Sequence, residues 1–346
     1  ANSRKSARRA RLNTSAMVSL GEIKSFFNLP KDLPLDAADP AAGLFGITTS
    51  LASPKDGAQN CAYFLRNMSK AYAWQSDETA ILDLRSQDLD LRSVADLGNI
   101  GGETQAQLGE NIRSAIGAIS VETVPVFVGS DHSVTCEIVK GLSERTSTAF
   151  KVISFAHHLD IQHWGSALEP IFHTNVMSHV EQTHGPGRIV HIGVNPHQSV
   201  GALARDSFVS TLQRIGAQIP LGSPLLEDDQ AILAAIGDEA DVYISVDVDV
   251  LHRNEMTASG DPSEQGMSLT RVLALISLIS RRHRIIGCDL VEFVADRSDR
   301  SPQTLADAAR ATSILLHLLF AISAQAAAAK MDRAASSLTS ARRLPL

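Results

Sequence analysis

The sequence predicts an α/β fold of three layers, α/β/α, built on a mainly parallel sheet. Predicted strands alternate with predicted helices along the chain, and no internal repeat of about 20–50 residues interrupts that order. The run 242–251 is almost continuously apolar and β-branched, which is typical of a strand buried on both faces of a parallel sheet. Since no strong linker divides the chain, we expect one domain over residues 43–330, preceded by a basic arm and link (1–42) and followed by a tail (331–346).

Each predicted strand is a short apolar run bounded by turn residues, and each predicted helix is a longer stretch with apolar residues three and four apart. The helix 58–74, for example, has Tyr63, Phe64, Met68 and Tyr72 on one side. In chain order the elements are strand 43–48, helix 58–74, strand or loop 81–91, helix 103–119, strand 124–128, helix 134–142, strand 151–155, strand 188–192, helix 208–215, helix 228–236, strand 242–251, helix 269–280, strand 285–291 and helix 305–330.

Composition argues against several classes of partner. The 346 residues are 44% hydrophobic and 20% charged, which is ordinary for a soluble globular chain. The net charge of -7 argues against a nucleic-acid or membrane surface as the main partner. The three cysteines are few and widely spaced, which indicates a reducing compartment, and we expect a cytoplasmic protein. The most apolar helix, 313–329, carries His317 and Gln325, so we interpret it as a core helix and not as a membrane span.

The first 20 residues differ in character from the rest of the chain. They contain several arginines, a lysine and serines but no acidic residue. Such a composition is typical of organelle-targeting segments, and it also suits an arm that packs on a neighbouring subunit. We favour the arm and keep targeting as the second interpretation.

Side chains of the kind that bind metals follow four predicted strands, at the end where open α/β sheets bind ligands. They are His132, then His158 and Asp160, then Asp247 and Asp249, and finally Glu292. Residues two apart in a strand share a face, so Asp247 and Asp249 are expected to point to one spot, as are Ala156, His158 and Asp160 if the extended conformation persists. A buried carboxylate pair requires a positive charge beside it. Imidazole nitrogen with carboxylate oxygen suits a divalent ion such as Mn²⁺, with zinc, iron and nickel left open.

Each of these residues also has an ordinary structural interpretation. His132 could be a hydrogen-bonded loop residue, Asp160 a helix cap, and Glu292 the partner of a nearby arginine. His157 is expected to face away from the site, as a core or interface histidine. These interpretations leave unexplained why so many such residues gather at one end of one sheet.

Four segments resemble motifs of the ureohydrolase family, which includes arginases and agmatinases. Gly-Ser-Asp-His-Ser at 129–133 resembles the family's Gly-Gly-Asp-His-Ser, and Ser-Val-Asp-Val-Asp-Val-Leu at 245–251 resembles its Ser-x-Asp-x-Asp-x-Leu. Gly-Asp-Pro-Ser-Glu-Gln-Gly at 260–266 resembles its Gly-Thr-Gly-x-Pro-x-Pro-Gly loop. Gly-Ala at 57–58 with Leu-Arg at 65–66 resembles its Gly-Ala…Ile-Arg segment. The four occur in the family's order.

The resemblance implies an arginase-like fold and a site for two Mn²⁺ ions. His132, Asp160 and Asp247 would bind one ion, and His158, Asp247 and Asp249 would bind the other, with Asp247 shared. In such a site a metal-bound hydroxide attacks the guanidinium carbon of a linear amidine. The products are urea, or a related amide, and an amine.

The resemblance also implies roles for two further residues and an assembly. Glu292 would pair with the guanidinium group of a small guanidino substrate, and His173 would carry the proton that the leaving amine needs. Family members assemble as trimers or hexamers, so we expect a homo-oligomer, possibly with another family subunit.

One family motif is incomplete. Its Asp-Ala-His-x-Asp reads Ala-His-His-Leu-Asp at 156–160, so Ala156 stands where the family has an aspartate that bridges the two metals. The missing carboxylate predicts weaker metal binding and leaves open whether one ion or two are held. Three interpretations follow: an active hydrolase with one ion or an altered pair, a pseudoenzyme retained for regulation or assembly, and an enzyme into which Ala156 was introduced by design. We favour the first, because the other ligand positions, Glu292 and His173 are retained.

The sequence also gives little support to a rival class and does not identify a substrate. A nucleotide-binding α/β protein would show a Gly-x-Gly-x-x-Gly or P-loop after a strand, and neither motif is present. The substrate tail is expected to contact loops 162–173 and 195–200, whose specificity cannot be read from sequence.

Overall fold

Seven parallel strands form the central sheet in the computed structural model, which describes residues 25–29, 39–73, 80–82, 84, 88–161, 170–195, 229–238 and 241–341. The strands are β1 (Ala42–Ile47), β4 (Val94–Ile100), β5 (Val124–Val128), β6 (Lys151–Phe155), β7 (Ile189–Ile192), β8 (Asp241–Asp247) and β9 (Arg284–Val291). Two short antiparallel strands, β2 (Ala80–Ile81) and β3 (Leu89–Asp90), form a separate pair. The order across the main sheet is β4-β1-β5-β9-β8-β6-β7.

Helices cover both faces of this sheet. They are α1 (Cys61–Ser69), α2 (Gln105–Ala118), α3 (Val134–Arg145), α4 (Val176–His184), α5 (Asp229–Ile236), α6 (Leu269–Ser280) and α7 (Pro302–Ala341). One apolar cluster joins the sheet to α1, α5, α6 and α7, and a second joins its other face to α2, α3 and α4. Strand β8 is buried along its whole length between them, as its apolar sequence predicts. The predicted three-layer α/β/α fold is confirmed.

Two elements of the described chain were not predicted, β4 and α4. The sequence of β4, Val-Ala-Asp-Leu-Gly-Asn-Ile, is interrupted by polar residues and glycine, which an edge strand tolerates because one side of its ladder has no neighbour. The stretch that forms α4 is short, and its apolar face consists of only three residues, Val176, Met177 and Val180. The predicted helix 208–215 and most of the basic arm lie outside the described residues, so the domain limits and the arm's role stay predictions.

The final helix α7 is longer than predicted and continues into the predicted tail as far as Ala341. Residues 331–335 of this extension are exposed, and Ala334 and Ala335 among them favour the helix by their intrinsic propensity. Within the described residues, the segment Pro302–Ala335 is long and apolar enough to cross a membrane by length and composition alone. Half of its most apolar window is buried in the protein, and its first half packs in the apolar cluster with α1 and α6, as a core helix does.

A buried ion pair joins α1 to the edge strand β4. Arg66 donates two hydrogen bonds to the carboxylate of Asp96, at 2.9 and 3.0 Å, and a third to Asn99 Oδ1 at 2.6 Å. Its guanidinium also lies 4.4 Å from the ring centre of Phe26. The side chains of Arg66 and Asp96 are 3% and 6% exposed, so water cannot replace either partner.

We expect Arg66→Leu to lower the free energy of unfolding by about 3–5 kcal/mol, because it leaves the Asp96 carboxylate buried without its partner. The control is Arg92→Leu at the exposed pair Arg92–Asp90, where the loss should be much smaller because water screens the pair. Urea denaturation of both variants measures the difference. Equal losses would contradict a structural role for the buried pair.

Candidate functional site

The predicted site residues lie at the carboxyl ends of β5, β9, β8 and β6, which are four adjacent strands in the centre of the sheet. Parallel strands end together, so side chains from distant parts of the sequence meet there. A loop joins β5 to α3 and carries His132, and a loop after β6 carries His158 and Asp160. Asp247 is the last residue of β8, and Glu292 directly follows β9.

The loop before α3 is held by its own backbone and by Asp131. Gly129 has φ +107°, and a Cβ there would meet the Ile47 carbonyl oxygen at 2.8 Å, so only glycine fits this turn. The fully buried Asp131 carboxylate accepts hydrogen bonds from Ser50 Oγ at 2.8 Å and from the Ala52 N–H at 3.1 Å. These contacts connect the loop to the segment after β1 and fix the direction of His132.

Three buried residues bring metal-binding atoms together. His132 Nδ1 lies 2.7 Å from Asp160 Oδ2 and 3.4 Å from Asp247 Oδ2. One ligand atom from each of the three lies within 4.8 Å of the others, and no other group of three His, Cys, Asp or Glu residues does so within the described part of the chain. The other ring nitrogen of His132, Nε2, lies 3.2 Å from Ser245 Oγ on β8, which holds the plane of the imidazole.

Asp247 and Asp249 lie together as expected, but a turn after the strand and not strand alternation brings Asp249 there. Strand β8 ends at Asp247, and a 3₁₀ turn follows over Val248–Val250, in which the Asp249 N–H donates to Asp247 Oδ1 at 2.8 Å. Asp249 also has other partners. Its carboxylate accepts from the His157 N–H at 2.8 Å and from His158 Nδ1 at 2.7 Å.

The extended conformation proposed for 156–160 does not persist either. Strand β6 ends at Phe155, and Asp160 adopts φ +49°, so the alternation of faces is lost. His158 then meets Asp249, whereas Asp160 meets His132. Ala156 is fully buried and directly follows Phe155, which pairs with Val246, the residue before Asp247.

His157 has the structural role that its ordinary interpretation suggests. Its side chain is buried, and Ser263 Oγ lies 2.8 Å from its Nδ1. The imidazole is thereby bound to the loop 260–266 and not to the group of His132, Asp160 and Asp247.

Glu292 is buried at the same end of the sheet, next to His132. Its Oε1 accepts a hydrogen bond from the His132 N–H at 2.8 Å, and its own N–H donates to the Ser130 carbonyl at 3.0 Å. Its backbone is left-handed, with φ +61°, and so are those of Ser130 (+77°) and Asp160 (+49°). Such backbones cost about 1–3 kcal/mol each and concentrate at functional sites.

Nearby arginines do not explain the burial of Glu292. The Arg297 guanidinium lies 4.5 Å from the ring centre of Tyr63, and Arg300 donates to the hydroxyl of the same tyrosine at 2.7 Å. Glu292 therefore presents a carboxylate that is not neutralised by either arginine.

His173 is held at the segment after β1 by two contacts with Ala52. Its main-chain N–H donates to the Ala52 carbonyl at 3.2 Å, and its Nδ1 lies 2.9 Å from the same oxygen. Since Nδ1 donates there, Nε2 carries the lone pair of the neutral ring. A positive charge on His173 would lower the pKa of Glu292, which places the two side chains within electrostatic reach.

Protons are shared among the buried acids and imidazoles. Burial alone would lower the pKa of His132, but hydrogen bonds with Asp160 and Asp247 raise it well above its usual value. Burial likewise opposes the charge on His158, yet Asp249 raises its pKa to about 9. A divalent ion would compete with these two protons for the same carboxylates, so its binding would release protons and strengthen as pH rises.

Burial disfavours the ionised form of two acids in this cluster, Asp247 and Glu292. It raises the pKa of Asp247 well above its usual value, with the negative charge of Asp249 adding to the effect. It also raises the pKa of Glu292 to about 7, although the hydrogen bond from the His132 N–H acts in the opposite direction and lowers it. Positive charge brought into this cluster, from a metal ion or a cationic substrate, would therefore favour the ionised acids.

Sequence reasoning assigned no role to several residues that hold this site. Asp131 and Ser245 position the loop and the ring of His132, respectively. Asp289, on β9, accepts hydrogen bonds from Thr135 Oγ1 at 2.6 Å and from the Tyr243 hydroxyl beneath the site. Their positions in the sequence could have indicated these roles. Asp131 and Ser245 lie inside the motifs at 129–133 and 245–251, and Asp289 lies in the strand before Glu292.

Comparisons with known proteins agree with this architecture. The model of the arginase family matches residues 40–318. A formimidoylglutamase from Chromobacterium violaceum is 28% identical over 220 residues, which cover 62% of this chain and 69% of that protein. The structure of proclavaminate amidino hydrolase from Streptomyces clavuligerus has a TM-score of 0.63 at 20% identity, covering 87% of this chain and 97% of that one.

A second structure extends the comparison to a metal-containing protein. A variant of Trypanosoma cruzi formiminoglutamase, solved with Mn²⁺, has a TM-score of 0.62 at 16% identity and covers 82% of this chain and 94% of that one. At such identities the solved structures establish the fold alone. Because the family model matches most of the chain, from before β1 into α7, this protein belongs to the arginase family.

Proposed function

We propose that this protein hydrolyses a carbon–nitrogen bond of a small linear amidine, a guanidino compound or a formimidoyl compound, with the help of a divalent metal ion. The observation that carries the proposal is the group of His132, Asp160 and Asp247, whose ligand atoms lie within 4.8 Å of one another beside the buried carboxylate of Glu292. The similarity to a formimidoylglutamase and, at 23% identity over 233 residues, to an agmatinase from Pyrococcus horikoshii supports this substrate class.

The residues present fit a divalent ion such as Mn²⁺. The group offers one imidazole nitrogen and carboxylate oxygens but no thiolate, a donor set suited to Mn²⁺. We assign the tighter position to His132, Asp160 and Asp247 and a weaker one to His158 and Asp249, with Asp247 shared. Bound there, the metal supplies Lewis acidity and lowers the pKa of water from about 15.7 to about 7.

The protein's own side chains would orient the substrate and move protons. Glu292 would hold the planar amidinium cation by paired hydrogen bonds, which fixes the carbon that water attacks. Water adds its oxygen to that carbon, the bond to the amine nitrogen breaks, and the amine leaves with a proton. His173, whose Nδ1 donates to Ala52, would accept a proton of the attacking water at Nε2 and then deliver it to the amine.

A screen of Mn²⁺-loaded protein against guanidino amines, guanidino acids and N-formimidoyl amino acids tests the proposal. Urea is the expected product from a guanidino compound and formamide from a formimidoyl compound, each with an equal amount of amine. Bound Mn²⁺ measured in parallel links activity to the metal. Absence of both metal binding and turnover would contradict the proposal and would fit a protein that retains the fold for regulation or assembly.

We expect Glu292→Gln to reduce kcat/KM at least about 30-fold, because the loss of one partner of a buried charge pair costs about 2–5 kcal/mol. The amide keeps an oxygen for the His132 N–H, so the loop should not move. Steady-state kinetics measure the loss, and Mn²⁺ affinity should change little because Glu292 is not assigned as a ligand. A large loss of Mn²⁺ affinity would mean that its role is to hold the metal.

Assembly as a trimer or hexamer and a cytoplasmic location remain predictions. The assembly is inferred from the resemblance alone, and the basic first 20 residues lie outside the described residues.

A further inference from the structure

The loop 260–266 is held near the proposed metal site by contacts just before it and within it. Before it, Ser259 pairs with Phe293, the residue after Glu292. Within it, Ser263 pairs with His252, and the Ser263 carbonyl accepts from the Arg253 N–H at 2.6 Å. These contacts hold the residues between them close to the carboxyl end of the sheet.

This loop contacts both histidines of the incomplete motif. Ser263 Oγ lies 2.8 Å from His157 Nδ1, and Asp261 Oδ2 lies 3.3 Å from His158 Nε2. The opposite nitrogen of His158, Nδ1, lies 2.7 Å from Asp249 Oδ2. The His158 imidazole is thus placed between one buried carboxylate and one that is 75% exposed.

A histidine that binds a metal through one nitrogen usually directs the other N–H to a carboxylate, carbonyl or water, which orients the ring and makes it a stronger ligand. Asp261 occupies that place for His158. The contact is relevant in this chain because Ala156 removes a carboxylate from the same site, so the remaining ligands must supply more of the attraction for a second ion.

We propose that Asp261 is a positioning residue, which orients His158 toward Asp249 and strengthens metal binding at the weaker position. The inference rests on the proposed function, since it requires that a metal binds. Asp261 itself would not bind the ion, because it lies at the far nitrogen of the ring. Its negative charge would also offset part of the charge lost at Ala156.

Mn²⁺ titration followed by electron paramagnetic resonance and calorimetry tests this inference on the full chain. We expect Asp261→Asn to weaken the weaker Mn²⁺ binding step by about tenfold, the lower end of the effect of losing such a partner. Asp261→Glu should restore most of the affinity, because a longer side chain on an exposed loop still reaches the ring. Since Asp261 is largely exposed, the difference from wild type should shrink as salt is added.

The matched control is Glu264→Gln, which removes the same charge from the same loop at a side chain that pairs with Arg253 and is 68% exposed. It should leave every Mn²⁺ binding step within about twofold of wild type, as is usual for an exposed pair. Unchanged Mn²⁺ binding in Asp261→Asn, or an equal loss in both variants, would overturn the inference and leave the proposed function intact. Wild-type protein that binds no Mn²⁺ would overturn the proposed function, and this inference with it.

Discussion

Ala156→Asp should tighten Mn²⁺ binding at the weaker position by at least about tenfold and increase amidine hydrolysis by a similar factor, which corresponds to about 1.4 kcal/mol. Ala156 is fully buried and directly follows Phe155, which pairs on the neighbouring strand with Val246, the residue before Asp247. A carboxylate at this position would supply a second anion between the group around His132 and the pair of His158 and Asp249. Two like-charged ions can share such a site only when anions lie between them.

Calorimetric titration with Mn²⁺ and the rate of urea or formamide release measure both effects. The control is Ala156→Asn, which has nearly the volume of aspartate but no charge and should produce no gain. Without metal, Ala156→Asp should be less stable than wild type, because it buries another carboxylate beside Asp247. If Ala156→Asp binds the second ion no better than Ala156→Asn does, then other residues of the pocket must also differ from a complete two-metal site.

Asp247→Asn should abolish measurable activity and weaken Mn²⁺ binding by more than about a hundredfold, since losing even an outer partner of a ligand costs about ten- to a hundredfold. Asp247 is the acid assigned to both ion positions, and its Oδ2 lies 3.4 Å from His132 Nδ1. The asparagine keeps an oxygen that can accept the Asp249 N–H. The change therefore removes charge with little change of shape.

Stability measurements separate this loss from unfolding. Burial and the nearby Asp249 raise the pKa of Asp247, which means that the ionised carboxylate is disfavoured in the metal-free fold. Metal-free Asp247→Asn should therefore melt at the same temperature as wild type or higher, whereas the increase in melting temperature on adding Mn²⁺ should disappear. A metal-free variant that melts well below wild type would point to a structural role for the charge.

Most strands and helices could be predicted, because apolar spacing is a property of neighbouring residues. Helix α6 (Leu269–Ser280) lies where its spacing predicts, and so does β5 (Val124–Val128). The edge strand β4 was missed because its pairing depends on β1 and not on its own apolar content. The site residues at the carboxyl end of the sheet were predicted from their place after four strands, whereas their grouping, His132 with Asp160 and His158 with Asp249, was implied only by the resemblance to the ureohydrolase family.

The partners within the site were decided by how each strand ends. Face alternation predicted that Asp247 and Asp249 would lie together, and they do, but β8 ends at Asp247 and it is a 3₁₀ turn that also brings Asp249 to His158. A left-handed residue at Asp160 directs its side chain to His132 instead. Local spacing thus determined the layers of the fold and the end of the sheet where the polar residues gather. The packing of the whole chain selected which acid meets which imidazole, because one turn at a strand end redirects a side chain in a way that spacing does not encode.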